Sequence, residues 1–345
     1  MIVAGIDEAG YGPVLGPLVT ACVALSVPGD VGRVVEAVCR GGKCADAAVP
    51  DLWEALRGAV SRQRDRRGRT LHVADSKAVY TPAAGVAELE KSVLAFAASA
   101  GLDVSTLETL LAGLDPTAAT HLARHPWYGE PTPHPMSVSK AAVGPLGNGV
   151  SAAMQRAGVG WPCRGLSARV VPEGRYNDLV ETTRNKSAVL MMHVGQLLAG
   201  VLELAQREEG GAVVVCDRQG GRSHYVEPLR TMFPEWDLAV LSESELAGVY
   251  ELSRSGAGPA GRAGRAVVWF REKAEAVSLP TALASMVCKY VREALMARLN
   301  AWWGRQVPGL RATAGYYTDG MRFLVDIDGV RRRLGVTEHE LVRSR

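Results

Sequence analysis

The first six residues, Met1-Ile2-Val3-Ala4-Gly5-Ile6, are apolar and give way abruptly to Asp7-Glu8, the pattern of a short buried strand that ends in charge. Gly10-Tyr11-Gly12-Pro13 supplies turn residues, and 18–25 is again apolar and partly β-branched, so the two runs predict a β-hairpin. Further apolar, β-branched runs stand at 168–171, 212–216, 238–241 and 266–270. The run 212–216, Ala-Val-Val-Val-Cys, has no polar position on either face, as a central strand requires. Helical periodicity covers 82–100, 185–206 and 280–303, with Pro280 suited to a first turn. A hairpin, a third strand, then alternating helices and strands predict an α/β domain on a mixed central sheet.

The remaining stretches carry less pattern. Residues 28–74 are weakly patterned, 101–165 is rich in Gly, Pro, His and Ser and reads as an inserted, partly irregular region, and 253–264 reads as a flexible loop. From 322 onward the chain has mixed helical character.

Composition narrows the picture only slightly. The 345 residues are 47% hydrophobic and 22% charged, ordinary for a water-soluble globular chain. A net charge of +3 does not announce a nucleic-acid binder, so electrostatics must act through local patches. The arginines between Arg57 and Arg69 form such a patch, with a nucleic-acid grip and a solvated surface both open. The cysteines form no CxxC pair, which fits free thiols better than a zinc site; Cys39 and Cys44 are near enough in sequence to approach each other. No basic start or long apolar leader is visible, and 188–205 is interrupted by His193, Gln196 and Glu203, so a cytoplasmic chain with no membrane partner is expected.

Candidate chemistry gathers where strands end. Asp7 and Glu8 follow the first strand, Asp217 follows the run 212–216, and Glu275 comes shortly after the run 266–270. Several carboxylates at neighbouring strand ends are the donor set of hard divalent cations. Two such ions roughly 3.5–4 Å apart clamp the attacking and leaving oxygens of a phosphodiester. For an isolated Asp, a turn or cap role is the ordinary reading. Asp7-Glu8, wedged between an apolar strand and a Gly-rich turn, is not an obvious cap. No Gly-x-x-x-x-Gly-Lys-Ser/Thr loop is present, and the second phosphate loop of an actin-like kinase is not evident either.

The stretch Gly5-Ile6-Asp7-Glu8-Ala9-Gly10-Tyr11-Gly12-Pro13-Val14-Leu15-Gly16-Pro17 resembles the N-terminal signature of the ribonuclease HII (type 2 ribonuclease H) family. In the same order, Asp75-Ser76-Lys77 resembles its Asp-Ser-Lys motif, and Val214-Val215-Cys216-Asp217 its strand with the third catalytic aspartate. The stretch 283–293 resembles its Ala-Ser-Ile-x-Ala-Lys-Val-x-Arg-Asp helix, Gly315-Tyr316-Tyr317-Thr318 its Gly-Tyr-Pro-Thr segment, and Gly335-Val336-Thr337-Glu338-His339 its closing motif. The resemblance implies one ribonuclease H-like domain over 1–345 with a mixed five-stranded central sheet and flanking helices. Insertions fall near 28–70, 101–165 and 244–264, and a helical segment closes the chain at 322–345.

For function, the resemblance implies a metal-dependent endonuclease that hydrolyses the RNA strand of RNA–DNA hybrids or cuts at ribonucleotides in DNA. Asp7, Glu8, Asp217 and Glu275 would be catalytic and would hold two Mg2+ or Mn2+ ions. Gly10, Tyr11, Gly12, Ser76, Lys77, Lys289 and Tyr316 would contact the nucleic acid, and a monomer is expected. Two departures stand out: Tyr11 occupies the place of the family's Arg, and Glu275 that of its Asp. Tyr lacks the charged fork that grips phosphate, although it can stack on a base or sugar. The alternative is therefore a catalytically impaired nucleic-acid-binding protein on the same fold.

Overall fold

The apolar run at the N-terminus forms β1 (Ile2–Ala9), which pairs antiparallel with β2 (Leu18–Ser26), from Ile2 opposite Ser26 to Ala9 opposite Val19. In this computed structural model, residues 1–40, 48–81, 83–256 and 263–344 are described; Cys44, Pro82 and the part of the expected loop at 257–262 lie outside them. A separate two-residue parallel ladder joins β3 (Val60–Ser61) to β4 (Leu71–His72). The later strands are β5 (Leu166–Val171), β6 (Ala212–Asp217), β7 (Asp237–Glu243), β8 (Ala247–Arg254) and β9 (Gly264–Arg271).

Seven strands make one mixed sheet in the order β5-β2-β1-β6-β9-β8-β7. The three central strands run parallel, β1 with β6 and β6 with β9, and the outer pairings are antiparallel. The expected count of five strands is corrected to seven. β8 escaped notice within the expected insertion 244–264 because Gly248, Glu251 and Ser253 interrupt its apolar positions. It is held instead by backbone ladders on both sides, and Glu251 takes an ion pair from Arg265 on β9.

Two long helices cover the sheet. Leu279–Gln306 lies on the face that carries Val3, Val213 and Val215, and Lys186–Ala205 lies on the face that carries Ile2, Ala4, Ile6 and Val214. Alternation along each strand creates these two apolar faces. Full burial of each Val or Leu contributes about 1.5–3 kcal/mol. Gly5 is where the first helix meets β1 backbone to backbone: a Cβ there would lie 2.0 Å from Thr281 N. Lys186–Ala205 is, by length and composition, apolar enough to cross a membrane, contrary to the expectation from its polar interruptions. Here its Val189, Leu190, Val194, Leu198 and Val201 are buried with the sheet.

The region 101–165 is more regular than its composition suggests. It contains the helices Leu107–Leu114, Ala118–Leu122 and Lys140–Arg156. Pro145, Gly144, Gly147 and Gly149 obscure the last of these. Gly147 serves a contact, since a Cβ there would come 2.9 Å from Ala98 Cβ on the neighbouring helix Ala87–Ser99.

Candidate functional site

Asp7 and Glu8 lie within β1 rather than beyond it, paired across to Ala21 and Thr20. Alternation sends Asp7 to the face shared with Val3 and Gly5, beneath the Leu279–Gln306 helix. There its carboxylate is hydrogen-bonded by Ser285, and its carbonyl oxygen accepts from Cys288 Sγ at 3.2 Å. Asp217 is the last residue of β6, one step past the Ile6–Cys216 pair, so the two aspartates sit at adjacent strand ends. Ala274 N–H donates to Asp217 Oδ1 at 3.4 Å from the turn after β9. Glu275 belongs to the same short 3-10 turn, Ala274–Ala276, and its charge is felt by Asp217.

Burial and mutual repulsion make these acids reluctant to ionise. Burial pushes Asp7 well above the usual carboxylate range, with Glu8 and Asp217 adding to the effect. Glu8 is pushed up to about 8 by burial and by Asp217, against the opposing pull of Lys77. Asp217 is pushed up to about 6 by burial and then by Glu275. A divalent cation would reverse the sign of this interaction, and hard carboxylate oxygens are the donors it prefers. The chemistry of the donor set fits such an ion. The side chains are not gathered around one point, however: among the described residues no three His, Cys, Asp or Glu side chains are grouped to hold a metal ion. The carboxylates are close enough to repel one another.

Ser76 and Lys77 flank this cluster. Asp75 caps the short helix Ser76–Val79 by accepting from Lys77 N at 3.0 Å. Ser76 is thereby buried, its hydroxyl bonded to that of Ser285 at 3.0 Å. Lys77 is exposed, and its charge acts on both Glu8 and Asp217. Lys289, expected on phosphate, is engaged within the protein: its Nζ donates to Glu293 at 2.6 Å and lies 4.5 Å from the Tyr80 ring centroid.

The glycine loop packs beside the carboxylates. Gly10 has φ +88°, and a Cβ there would meet Pro17 O at 2.5 Å, so glycine is required twice over. Gly12 faces open space: a Cβ there would have no neighbouring atom within 4 Å. The half-buried Tyr11 ring has Lys186 Nζ 5.4 Å from its centroid. Tyr316 is 55% exposed, and the loop's Val14 and Leu15 N–H groups donate to the preceding carbonyl, Gly315 O. The fold therefore brings Asp7, Glu8, Asp217, Glu275, Lys77 and Ser76 into one neighbourhood, with Gly10, Tyr11, Gly12 and Tyr316 along its rim.

Two arginines that the sequence did not single out hold that rim. Arg292, 2% exposed, donates to Leu15 O at 3.1 Å and to Ala314 O at 3.0 Å. Arg343, 3% exposed, donates through Nε to Pro13 O at 3.1 Å and through Nη2 to Tyr11 O at 3.4 Å. A signal for Arg292 existed, because it shares a helical face with Ser285, Cys288 and Lys289. Arg343 had none. In the Arg57–Arg69 patch, Arg57, Arg62, Arg64 and Arg69 pair with Glu54, Asp51, Glu88 and Asp65 at the surface.

No family model matches this sequence, and no curated protein does either. Solved structures do resemble it. The chain is similar to ribonuclease HII of Archaeoglobus fulgidus, solved in complex with PCNA, at 15% identity and a TM-score of 0.40, over 100% of this chain and 95% of that one. It is also similar to ribonuclease H2 of Pyrococcus horikoshii, at 13% identity and a TM-score of 0.37, over 99% and 92%. Bst-RNase HIII in complex with Mn2+ is similar at 12% identity and a TM-score of 0.41, over 99% and 66%.

Proposed function

We propose that this protein is a divalent-metal-dependent endonuclease that hydrolyses the RNA strand of RNA–DNA hybrids or cuts at ribonucleotides in DNA. The observation that carries the reading is the meeting of Asp7, Glu8 and Asp217 at adjacent strand ends, each raised in pKa by burial and by its neighbours. A buried cluster of like charges is a liability to the fold unless a cation uses it. The motifs around Gly5, Ser76, Asp217, Ser285 and Gly315 support the same class.

Asp7, Glu8, Asp217 and Glu275 would hold the ions, Mg2+ or Mn2+. Bound there, they would supply charge neutralisation at the attacked phosphodiester and a water of lowered pKa. Ser285 orients the Asp7 carboxylate, and Ser76 orients Ser285. Lys77 offers a positive charge at the exposed edge of the cluster, suited to a phosphate. The Gly10–Gly12 backbone, clamped from behind by Arg292 and Arg343, admits a nucleotide closely at Gly12. Tyr11 and Tyr316 present aromatic faces to sugar or base.

A cleavage assay with Mg2+ or Mn2+ on three substrates tests this: a full hybrid, DNA with one ribonucleotide, and plain DNA. Cleavage of either ribonucleotide-containing duplex that is abolished by Asp7→Asn is expected. Intact substrates, or activity that survives Asp7→Asn, refute the proposal. A second reading, a nucleic-acid-binding protein with impaired catalysis, is favoured by Tyr11 and Glu275, which stand where the resemblance leads one to expect Arg and Asp. Metal titration separates the two: a nuclease takes up ions and loses them with Asp217→Ala, whereas hybrid binding without metal uptake marks the second reading.

A further inference from the structure

A cavity of about 430 Å³ lies at the C-terminal end of β5, bordered by that strand, the Lys186–Ala205 helix and the segment 115–121. β5 is two strands from β1 and runs in the same direction, so the cavity sits along the rim that carries Asp7. At one strand spacing of about 4.8 Å, its separation from β1 is roughly 10 Å.

Its lining is strongly one-signed. Arg164, Arg169 and Arg175 all border it, and among the described residues none of them pairs with a carboxylate. In the Arg57–Arg69 patch, by contrast, Arg57, Arg62, Arg64 and Arg69 find such partners. The one acid in the lining, Asp115, is already used: one carboxylate oxygen accepts from Val170 N at 2.9 Å, and the other from Thr117 N at 3.0 Å and Thr117 Oγ1 at 2.7 Å. Arg169 spends Nε on Gln196 Oε1 at 3.3 Å and Nη1 on Ala168 O at 2.8 Å, which leaves Nη2 without a partner among the described residues.

His193 supplies an independent observation. It borders the same cavity and is 7% exposed; among the described residues its one polar neighbour is Gln196, which favours the charged ring and is itself engaged by Arg169 Nε. A buried polar group that is poorly paired costs about 1–3 kcal/mol, and beside the ring the guanidinium groups of Arg164 and Arg175 and the Nη2 of Arg169 have no partner among the described residues, which together suit an anionic ligand. Burial, with Arg169 and Arg175 nearby, pushes its pKa down to about 4 despite the opposing influence of Gln196. The ring is thus a neutral imidazole, which offers one N–H donor at physiological pH.

We propose that this cavity binds a phosphate-class oxyanion, held by Arg164, Arg169 and Arg175, with the neutral His193 ring in its wall. A carboxylate would balance only one of the three cations. A di- or triply charged phosphate group balances them and presents several acceptors to planar guanidinium forks. Its source is either a backbone phosphate of a bound nucleic acid, given the shared rim, or a free phosphorylated small molecule.

The test uses the full-length protein in EDTA, so that the carboxylate cluster and any metal play no part. Titration with inorganic pyrophosphate by calorimetry is expected to give one site per chain. Arg164→Ala and Arg175→Ala, both substitutions of partly or fully exposed side chains, are each expected to weaken it at least fivefold, and the double variant more than tenfold. Circular dichroism checks that the variants remain folded. Binding of a catalytically silent RNA–DNA hybrid then identifies the source. A salt dependence shallower by about one in log–log slope for Arg175→Ala indicates a backbone phosphate. An unchanged slope, with pyrophosphate binding lost, indicates a free phosphorylated ligand. No pyrophosphate binding to the wild type at millimolar concentration, or undiminished binding to the double variant, overturns the proposal.

Discussion

Removing one charge from the carboxylate cluster should stabilise the metal-free protein. Burial and Glu275 displace Asp217 from 3.8 to about 6. A carboxyl whose pKa is raised by folding favours the native state when protonated. Its contribution is therefore complete below about pH 4 and is lost as pH rises through about 6. At about 1.4 kcal/mol for each tenfold change in proton affinity, the ionised group destabilises the fold above that range by about 3 kcal/mol. Asp217→Asn keeps the shape and an oxygen for Ala274 N–H, and it also relieves Glu8, which feels the Asp217 charge. Urea unfolding in EDTA measures the effect. The variant should gain roughly 1–3 kcal/mol at about pH 8 and nothing at about pH 4. Added Mn2+ should then stabilise the wild type and leave the variant unchanged. A variant less stable than wild type at the higher pH, or one that gains equally at both, would refute the repulsion argument.

Three other perturbations probe different parts of the molecule. Gly5→Ala would push a methyl to within 2.0 Å of Thr281 N and 2.4 Å of Pro280 C, both backbone atoms. A loss above about 3 kcal/mol is expected, with a thermal midpoint at least about 6 °C lower; a fall smaller than about 2 °C contradicts the close approach. Arg343→Ala strips the donors from Pro13 O and Tyr11 O and should cost about 2–4 kcal/mol, with faster hydrogen exchange across 10–17 as its signature. Unchanged exchange there would show that the C-terminal tail does not hold the loop. Tyr11→Arg should steepen the salt dependence of hybrid binding by about one in log–log slope; an unaltered slope means that Tyr11 does not face the backbone.

What was legible in the sequence follows from how far each signal reaches. Residues 212–216 form a central strand in the structure because an all-apolar run must be buried on both faces. Asp7 and Glu8 were visible because charge cannot continue such a strand unless something nearby compensates it. β8 was hidden because a strand flanked on both sides is held by backbone bonds, which leave little trace in side-chain pattern. The surroundings of Lys289 were only partly legible for a related reason. Glu293 lies one turn along the same helix, within reach of an i,i+4 pair, and Tyr80 supplies the second contact from more than two hundred residues away.

The parts of the candidate site therefore divide by origin. The acids depend on where strands end, which is a local property. The shape of the loop they share depends on contacts that no window of sequence contains: Gly16 N donates to Glu173 at 2.9 Å, Arg292 reaches Leu15, and Arg343 reaches Pro13 from the far end of the chain. Glu173 is itself buried, and Tyr128 donates to both of its oxygens. Such a loop is held from three directions by groups that cannot move without leaving a buried polar atom unpaired. This clamp holds the backbone on both sides of Tyr11 without help from the Tyr11 side chain. The backbone path is fixed from beneath by Arg292 and Arg343, so the residue at its tip is free to set what the site grips.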